Sequence, residues 1–186
     1  MKLITPAREG ESVLLHICCA PDASYGVPAM QKRFRVTGFS FNPNIQPGDE
    51  YARRLETTRR LQDFLPFALE VAAGGEEEWE EAVRGLEAEP EKGRRCEACI
   101  RMRLRRTANE AKRQGFPAFG TVLTVSPKKD AAMVNRVGSD EGERAGVVFI
   151  EADMKKNDGF RKSVEISKEM GIYRQDYCGC RYSVRK

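Results

Sequence analysis

Short apolar runs alternate with amphipathic stretches along this chain. Residues 12–17 read Ser-Val-Leu-Leu-His-Ile, and 36–41, 67–71, 118–123 and 147–151 are similar runs bounded by glycine, proline or charge. Their length and borders predict strands. Between them, residues 22–33, 48–64, 76–85, 97–114 and 128–144 place apolar positions at helical spacing. A last helix is predicted over 159–170, stopped by Gly171. In 97–114 an apolar stripe of Ile100, Leu104, Ala108 and Ala111 runs along one face, and Gly115 and Pro117 end it. This alternation predicts an α/β fold: a mainly parallel five-stranded sheet flanked by helices, in a single compact domain over 1–186. No internal repeat or dividing linker is visible.

Parallel strands would bring their carboxyl ends to one edge, where open α/β sheets bind ligands. Cys18-Cys19-Ala20-Pro21-Asp22 follows the first predicted strand, and Asn42-Pro43-Asn44-Ile45-Gln46-Pro47 follows the second. Thr124-Val125-Ser126-Pro127 follows the fourth and Asp153 the fifth. A metal site is expected at that edge.

Composition narrows the chemistry. No apolar run approaches the roughly 20 residues of a membrane span, so no membrane partner is expected. Met1-Lys2-Leu3-Ile4-Thr5-Pro6 lacks the apolar core of a signal peptide, so a cytoplasmic location is expected. In a reducing compartment, closely spaced cysteines point to metal ligation or catalysis rather than structural disulfides. All six cysteines come in close pairs: Cys18-Cys19, Cys96-x-x-Cys99 and Cys178-Gly179-Cys180. Isolated core thiols would be scattered singly, so a shared metal or redox site is the better reading.

Cys96 and Cys99 stand three apart in a predicted first helical turn and can ligate one centre. The helix dipole, with Arg94 and Arg95, is expected to favour their thiolates. Four thiolates suit zinc or an iron–sulfur cluster. Zinc commonly takes two Cys-x-x-Cys knuckles and this chain has one, which favours iron–sulfur. Six thiols exceed one cluster's need, and Asp22 adds a carboxylate. Cys178 and Cys180 therefore form a redox dithiol, or join Asp22 on a second, mononuclear iron. His16, the single histidine, is read as support for the cysteine loop rather than as a ligand. Serine–histidine–aspartate hydrolysis has little support.

The net charge of +4 permits a nucleic-acid partner. Residues 92–106 hold seven basic side chains against one glutamate, with Arg101 and Arg105 on one helix face. That face is a candidate for phosphate contact or a plain solvated surface. The tail Tyr173-Arg174-Gln175-Asp176-Tyr177 sets aromatic and guanidinium planes beside polar groups. Such a segment can stack on an unstacked base and read its edge, although core packing would equally use the tyrosines.

The motifs resemble a known family, the cobalamin-independent epoxyqueuosine reductases (QueH) of tRNA queuosine biosynthesis. The likeness runs through His16-Ile17-Cys18-Cys19-Ala20-Pro21, then Phe41-Asn42-Pro43-Asn44-Ile45 with Pro47 and Tyr51. It continues through Cys96-x-x-Cys99 with Arg101 and Leu104, Ser126-Pro127, and Ile172 to Ser183 around Cys178-Gly179-Cys180. The resemblance implies two-electron reduction of an epoxide on tRNA carrying epoxyqueuosine, and an electron donor of unspecified identity. It implies a [4Fe-4S] cluster on Cys18, Cys19, Cys96 and Cys99, with Cys178 and Cys180 as a redox-active pair. Many relatives of this pattern carry cysteine where this chain has Asp22, so hard oxygen replaces soft sulfur there. Asp22 would then assist departure of the epoxide oxygen, and Tyr177 and Asp176 are candidates for proton delivery. Tyr173, Arg174, Gln175, Tyr177, Arg101 and Arg105 are the expected substrate contacts. Two rival readings are a zinc-stabilised RNA-binding module without redox activity and a nucleotide-dependent tRNA-modifying enzyme. The Cys-Cys-Ala-Pro-Asp loop has no glycine-rich phosphate cradle, which counts against the second.

Overall fold

Alternate residues of the central strand enter opposite cores, because successive side chains of a strand point to opposite faces. The computed structural model describes residues 3–4, 7–156 and 158–184. After a short β1 (Leu3–Ile4), the central strand is β2 (Ser12–His16), followed by α1 (Ala20–Gln31), β3 (Arg35–Ser40) and α2 (Gly48–Arg60). Then come β4 (Ala68–Val71), α3 (Glu76–Val83), α4 (Arg94–Gln114), β5 (Ala118–Thr121) and α5 (Ala131–Ala145). The chain closes with β6 (Val148–Phe149), β7 (Glu151–Ala152) and α6 (Gly159–Glu169).

The main sheet runs β4-β3-β2-β5-β6 and is parallel throughout. From β2, Leu14 joins Phe39, Trp79, Ile100, Leu104, Phe119 and Val137 in one core, covered by α3, α4 and α5. Val13 and Leu15 join Val27, Met30, Leu61 and Val122 in the other, covered by α1, against which α2 and α6 pack. Full burial of one such side chain contributes about 1.5–3 kcal/mol, so two cores hold the sheet rigid beneath its loops. The predicted stripe of α4 is buried along its whole length.

Several borders differ from expectation. The run 147–151 is two strands, because β6 pairs parallel with β5 while β7 leaves to pair antiparallel with β1. The run 118–123 ends as a strand at Thr121 and continues as a 3-10 turn, Leu123–Val125. The helix expected over 97–114 starts three residues earlier, at Arg94, which sets Cys96 in its third position. The helix expected from 128 starts at Ala131, because the Asp130 carboxylate caps it by accepting from Ala132 N (2.9 Å) and Met133 N (3.4 Å). Lys128 and Lys129 are thereby left in a loop above the sheet edge. No helix among the described residues is long and apolar enough to cross a membrane.

Candidate metal centre

β2 is extended past His16 by Ile17, whose N–H donates to Phe39 O, and the chain then turns at Cys18-Cys19 into α1. Pro21 in the first turn suits a helix start, and Asp22 follows it. This turn gathers three donors. Cys18 Sγ lies 3.7 Å from Cys19 Sγ and donates to Asp22 Oδ2 at 3.3 Å. Ligand atoms of Cys18, Cys19 and Asp22 all lie within 4.8 Å of one another. Burial pushes the Asp22 carboxyl up to about 6, against hydrogen bonds from Cys18 and Cys19 and the charges of Arg174 and Lys129. The Cys18 thiol is raised by its contact with Cys19, by burial and by Asp22. Two thiols and a carboxylate this close suit a metal cation, and the donor set fits one.

The other four thiols meet around a second, small cavity. Cys96, Cys99, Cys178 and Cys180 line it together with Arg95, Ile100, Arg103 and Lys129. α4 supplies Cys96 and Cys99 from its first two turns. Cys178 and Cys180 come from the tail, which is strapped to α2 and the loop before it. Arg54 donates to Tyr177 O (3.3 Å) and Cys178 O (3.1 Å), Tyr177 Oη donates to Gln46 O (2.5 Å), and Gln46 N donates to Gly179 O (2.8 Å). Gly179 has φ +105°, and a Cβ there would stand 2.9 Å from Ile45 Cγ1. A glycine between the two cysteines is therefore required by the close approach of the strap. All six cysteines are free thiols, a soft donor set that fits an iron–sulfur cluster.

The structure thus sets Cys18 and Cys19 with Asp22, and Cys96 and Cys99 with Cys178 and Cys180. The ligand set implied by resemblance, Cys18, Cys19, Cys96 and Cys99, takes one pair from each group. Cys178 lines both this cavity and a larger one of about 290 Å3 that holds Cys18, Cys19 and Asp22 in its wall, so the two groups adjoin.

Arg94 and Arg95, expected to favour the α4 thiolates, are both held by the segment before the helix. Arg94 pairs with Glu89, and Arg95 donates to the carbonyls of Glu87 and Glu89. The Cys99 thiol is raised, because burial outweighs the nearby cations. Arg95 acts on Cys180 from the wall of the small cavity, and Arg103 and Lys129 act on Cys99 and Cys178. Lys129 Nζ donates to Cys178 Sγ at 2.9 Å. Burial pushes the Cys178 thiol up, but Lys129 and Arg103 pull it below its ordinary value.

The large cavity also contains Arg54, Lys128, Arg174, Gln175, Asp176 and Tyr177. Arg174 is held by Ser163 O and Ser167 Oγ, and Gln175 Oε1 is buried without a hydrogen-bond partner. Tyr173 lies outside this cavity: Arg53 stacks 3.6 Å from its ring and its hydroxyl donates to Glu50. Arg101 and Arg105 are also away from it. Arg101 pairs with Glu97, Asp140 and Glu141, and Arg105 pairs with Glu141, so both stitch α4 to α5. His16 is fully buried beneath the cysteine loop, bonded to Thr121 Oγ1 (2.9 Å) and close to Phe41 O and Arg103, as a supporting residue.

A family model described as Epoxyqueuosine reductase QueH matches residues 13–186. The chain belongs to the QueH family. It is 39% identical to the epoxyqueuosine reductase QueH of Streptococcus pyogenes serotype M1, covering 94% of this chain and 71% of that one. It is 37% identical to the epoxyqueuosine reductase QueH of Thermotoga maritima, covering 93% and 90%. Among solved structures, a predicted subunit of tRNA methyltransferase from Methanocaldococcus jannaschii aligns with a TM-score of 0.58 at 13% identity, covering 89% of this chain and 93% of that one. That likeness shows the α/β fold alone.

In this QueH chain, Arg103, Lys129, Arg54 and Lys128 also line the cavities, although no motif marks them. Arg103 follows Cys99 by four and Cys96 by seven, so helical spacing places all three on one face of α4. Lys129 gave no such signal, because its position depends on where α5 is capped.

Proposed function

We propose that this chain reduces the epoxide of epoxyqueuosine in tRNA to queuosine, with a [4Fe-4S] cluster held by Cys96, Cys99, Cys178 and Cys180. Cys18, Cys19 and Asp22 would hold a mononuclear iron beside it. The observation that carries the reading is the shared position of Cys178: it borders the cavity of four thiols and the larger cavity walled by Cys18, Cys19 and Asp22. When bound, the cluster would supply electrons singly, and the mononuclear iron would act as a Lewis acid toward the epoxide oxygen. The balance is two electrons and two protons in, with the oxygen leaving as water.

The chain's own groups would bind and orient the nucleoside. The unpartnered Gln175 Oε1 is a ready acceptor for donors on a base edge, and Arg174, fixed by α6, offers a plane for stacking. Lys128 adds positive charge at the cavity for the phosphate backbone, while buried Arg54 is paired with Glu50 and holds the tail. The Arg105 guanidinium, half exposed, remains the phosphate candidate of α4. Tyr173 would contact RNA outside the cavity, and its stacking with Arg53 leaves it ordered for that. Tyr177 Oη already donates to Gln46 O, so the exposed Asp176 carboxylate is the better proton carrier. Purified anaerobically and given a chemical reductant, the protein should convert epoxyqueuosine tRNA without ATP. An absolute need for ATP, or no conversion by iron-loaded protein, would overturn the reading.

A further inference from the structure

Arg103 carries a buried charge that no carboxylate balances. Its residue is 2% exposed, and no ion pair to it occurs among the described residues. Nη2 donates to Asn42 Oδ1 at 2.8 Å and lies 3.4 Å from His16 Nε2, while Nε is buried with no partner. His16 beside it is an imidazole, neutral or cationic, and supplies no negative charge. An ion stranded in this way is strongly unfavourable unless an opposite charge compensates it.

The groups near it that become anionic on binding a metal are the thiols. Arg103 lines both cavities, so its guanidinium faces walls that carry cysteines from all three pairs. The guanidinium is also locked in place. Asn42 Nδ2 donates to Ile17 O (2.8 Å) and Ser40 Oγ (3.2 Å), which turns Asn42 Oδ1 toward Arg103. Lys129 is a second cation, but it is only partly buried and serves Cys178 directly.

We propose that Arg103 is the fixed counter-charge of the thiolate–iron centre, a positioning residue that raises the centre's reduction potential. The proposal rests on the function proposed above. Each electron added to a thiolate-bound centre increases its negative charge. A cation fixed nearby in a poorly polarisable interior therefore stabilises the reduced form more than the oxidised one.

The test is a dye-mediated redox titration of anaerobically loaded protein. In Arg103→Gln the one-electron equilibrium should fall about tenfold, or about 59 mV. Asn42→Asp should shift it the same way, because a carboxylate of the amide's size neutralises the guanidinium, at the loss of the bond donated to Ile17 O. Arg103→Lys, which keeps the charge, should stay within about threefold of wild type. Loaded Gln and Asp variants with wild-type potentials would overturn the proposal. If Arg103→Gln does not load, the other two variants decide. A shifted Asp variant with a loaded, near-normal Lys variant supports a charge role, and an unshifted Asp variant or an unloaded Lys variant assigns Arg103 to packing. Wild-type protein that takes up no cluster would overturn the reading of the site as well, whereas unshifted variants overturn this proposal alone.

Discussion

Replacing Glu141 by glutamine tests whether the basic face of α4 belongs to the fold. The Glu141 side chain is 1% exposed and joins three arginines. Oε1 accepts from Arg101 (3.0 Å) and Arg144 (2.9 Å), and Oε2 accepts from Arg105 (3.0 Å). Removing one member of a buried ion pair costs about 3–5 kcal/mol when the other charge is stranded. Here the arginines are 22%, 51% and 63% exposed and can re-solvate, which reduces the loss to about 2–3 kcal/mol. For a chain of this size the Tm should fall by roughly 5–10 °C. The pH dependence has a definite sign. Burial pushes the carboxyl up, but hydrogen bonds from Arg105 and Arg101 hold it below its ordinary value. Its contribution is therefore present above the unfolded glutamate pKa of about 4.3 and is lost as pH falls through the lower folded value. Urea melts followed by circular dichroism should show the full gap between wild type and Glu141→Gln at neutral pH, closing in acid. A gap under about 0.5 kcal/mol at neutral pH, or one that persists once the carboxyl is protonated, refutes the reasoning.

Three further outcomes follow from the same geometry. Because Glu141 already holds Arg105, Arg105→Ala should weaken tRNA binding less than Lys128→Ala, which acts at the cavity; filter binding at fixed salt decides, and the reverse order contradicts the placement. Gly138→Ala would set a Cβ 2.3–2.5 Å from the Phe149 ring, so it should destabilise the α5–sheet seam by about 1–3 kcal/mol, and an unchanged melt argues against that packing. In iron-free protein, Lys129→Met should slow alkylation of Cys178 near neutral pH, because burial then acts on the thiol with less opposing charge; peptide mass spectrometry should show it, and equal rates would count against the Lys129 contact.

The sequence made the layers readable because both periodicities are clean. The two-residue period of β2 divides its side chains between two cores, and the stripe Ile100, Leu104, Ala108, Ala111 is the buried side of α4. Borders were less readable where local pattern and capping compete. Lys128 and Lys129 fit a helical pattern, but Asp130 accepts the first free N–H groups and starts α5 after them. The cysteine pairs stood out by spacing, whereas their grouping did not. It depends on the tail folding back across more than a hundred residues to Arg54 and Gln46. The basic run 92–106 looked like one surface; Glu141, from the next helix, neutralises part of it and Arg103 turns inward.

The most direct test of the account is metal and sulfide counting on anaerobically purified protein, repeated for Cys96→Ser and Asp22→Ala. The wild-type chain should hold about five irons and about four sulfides, with little zinc. Cys96→Ser should lose most iron and sulfide, while Asp22→Ala should lose about one iron and keep the cluster's absorption. Stoichiometric zinc in a colourless wild-type protein would contradict the account, as would full iron and sulfide in both variants.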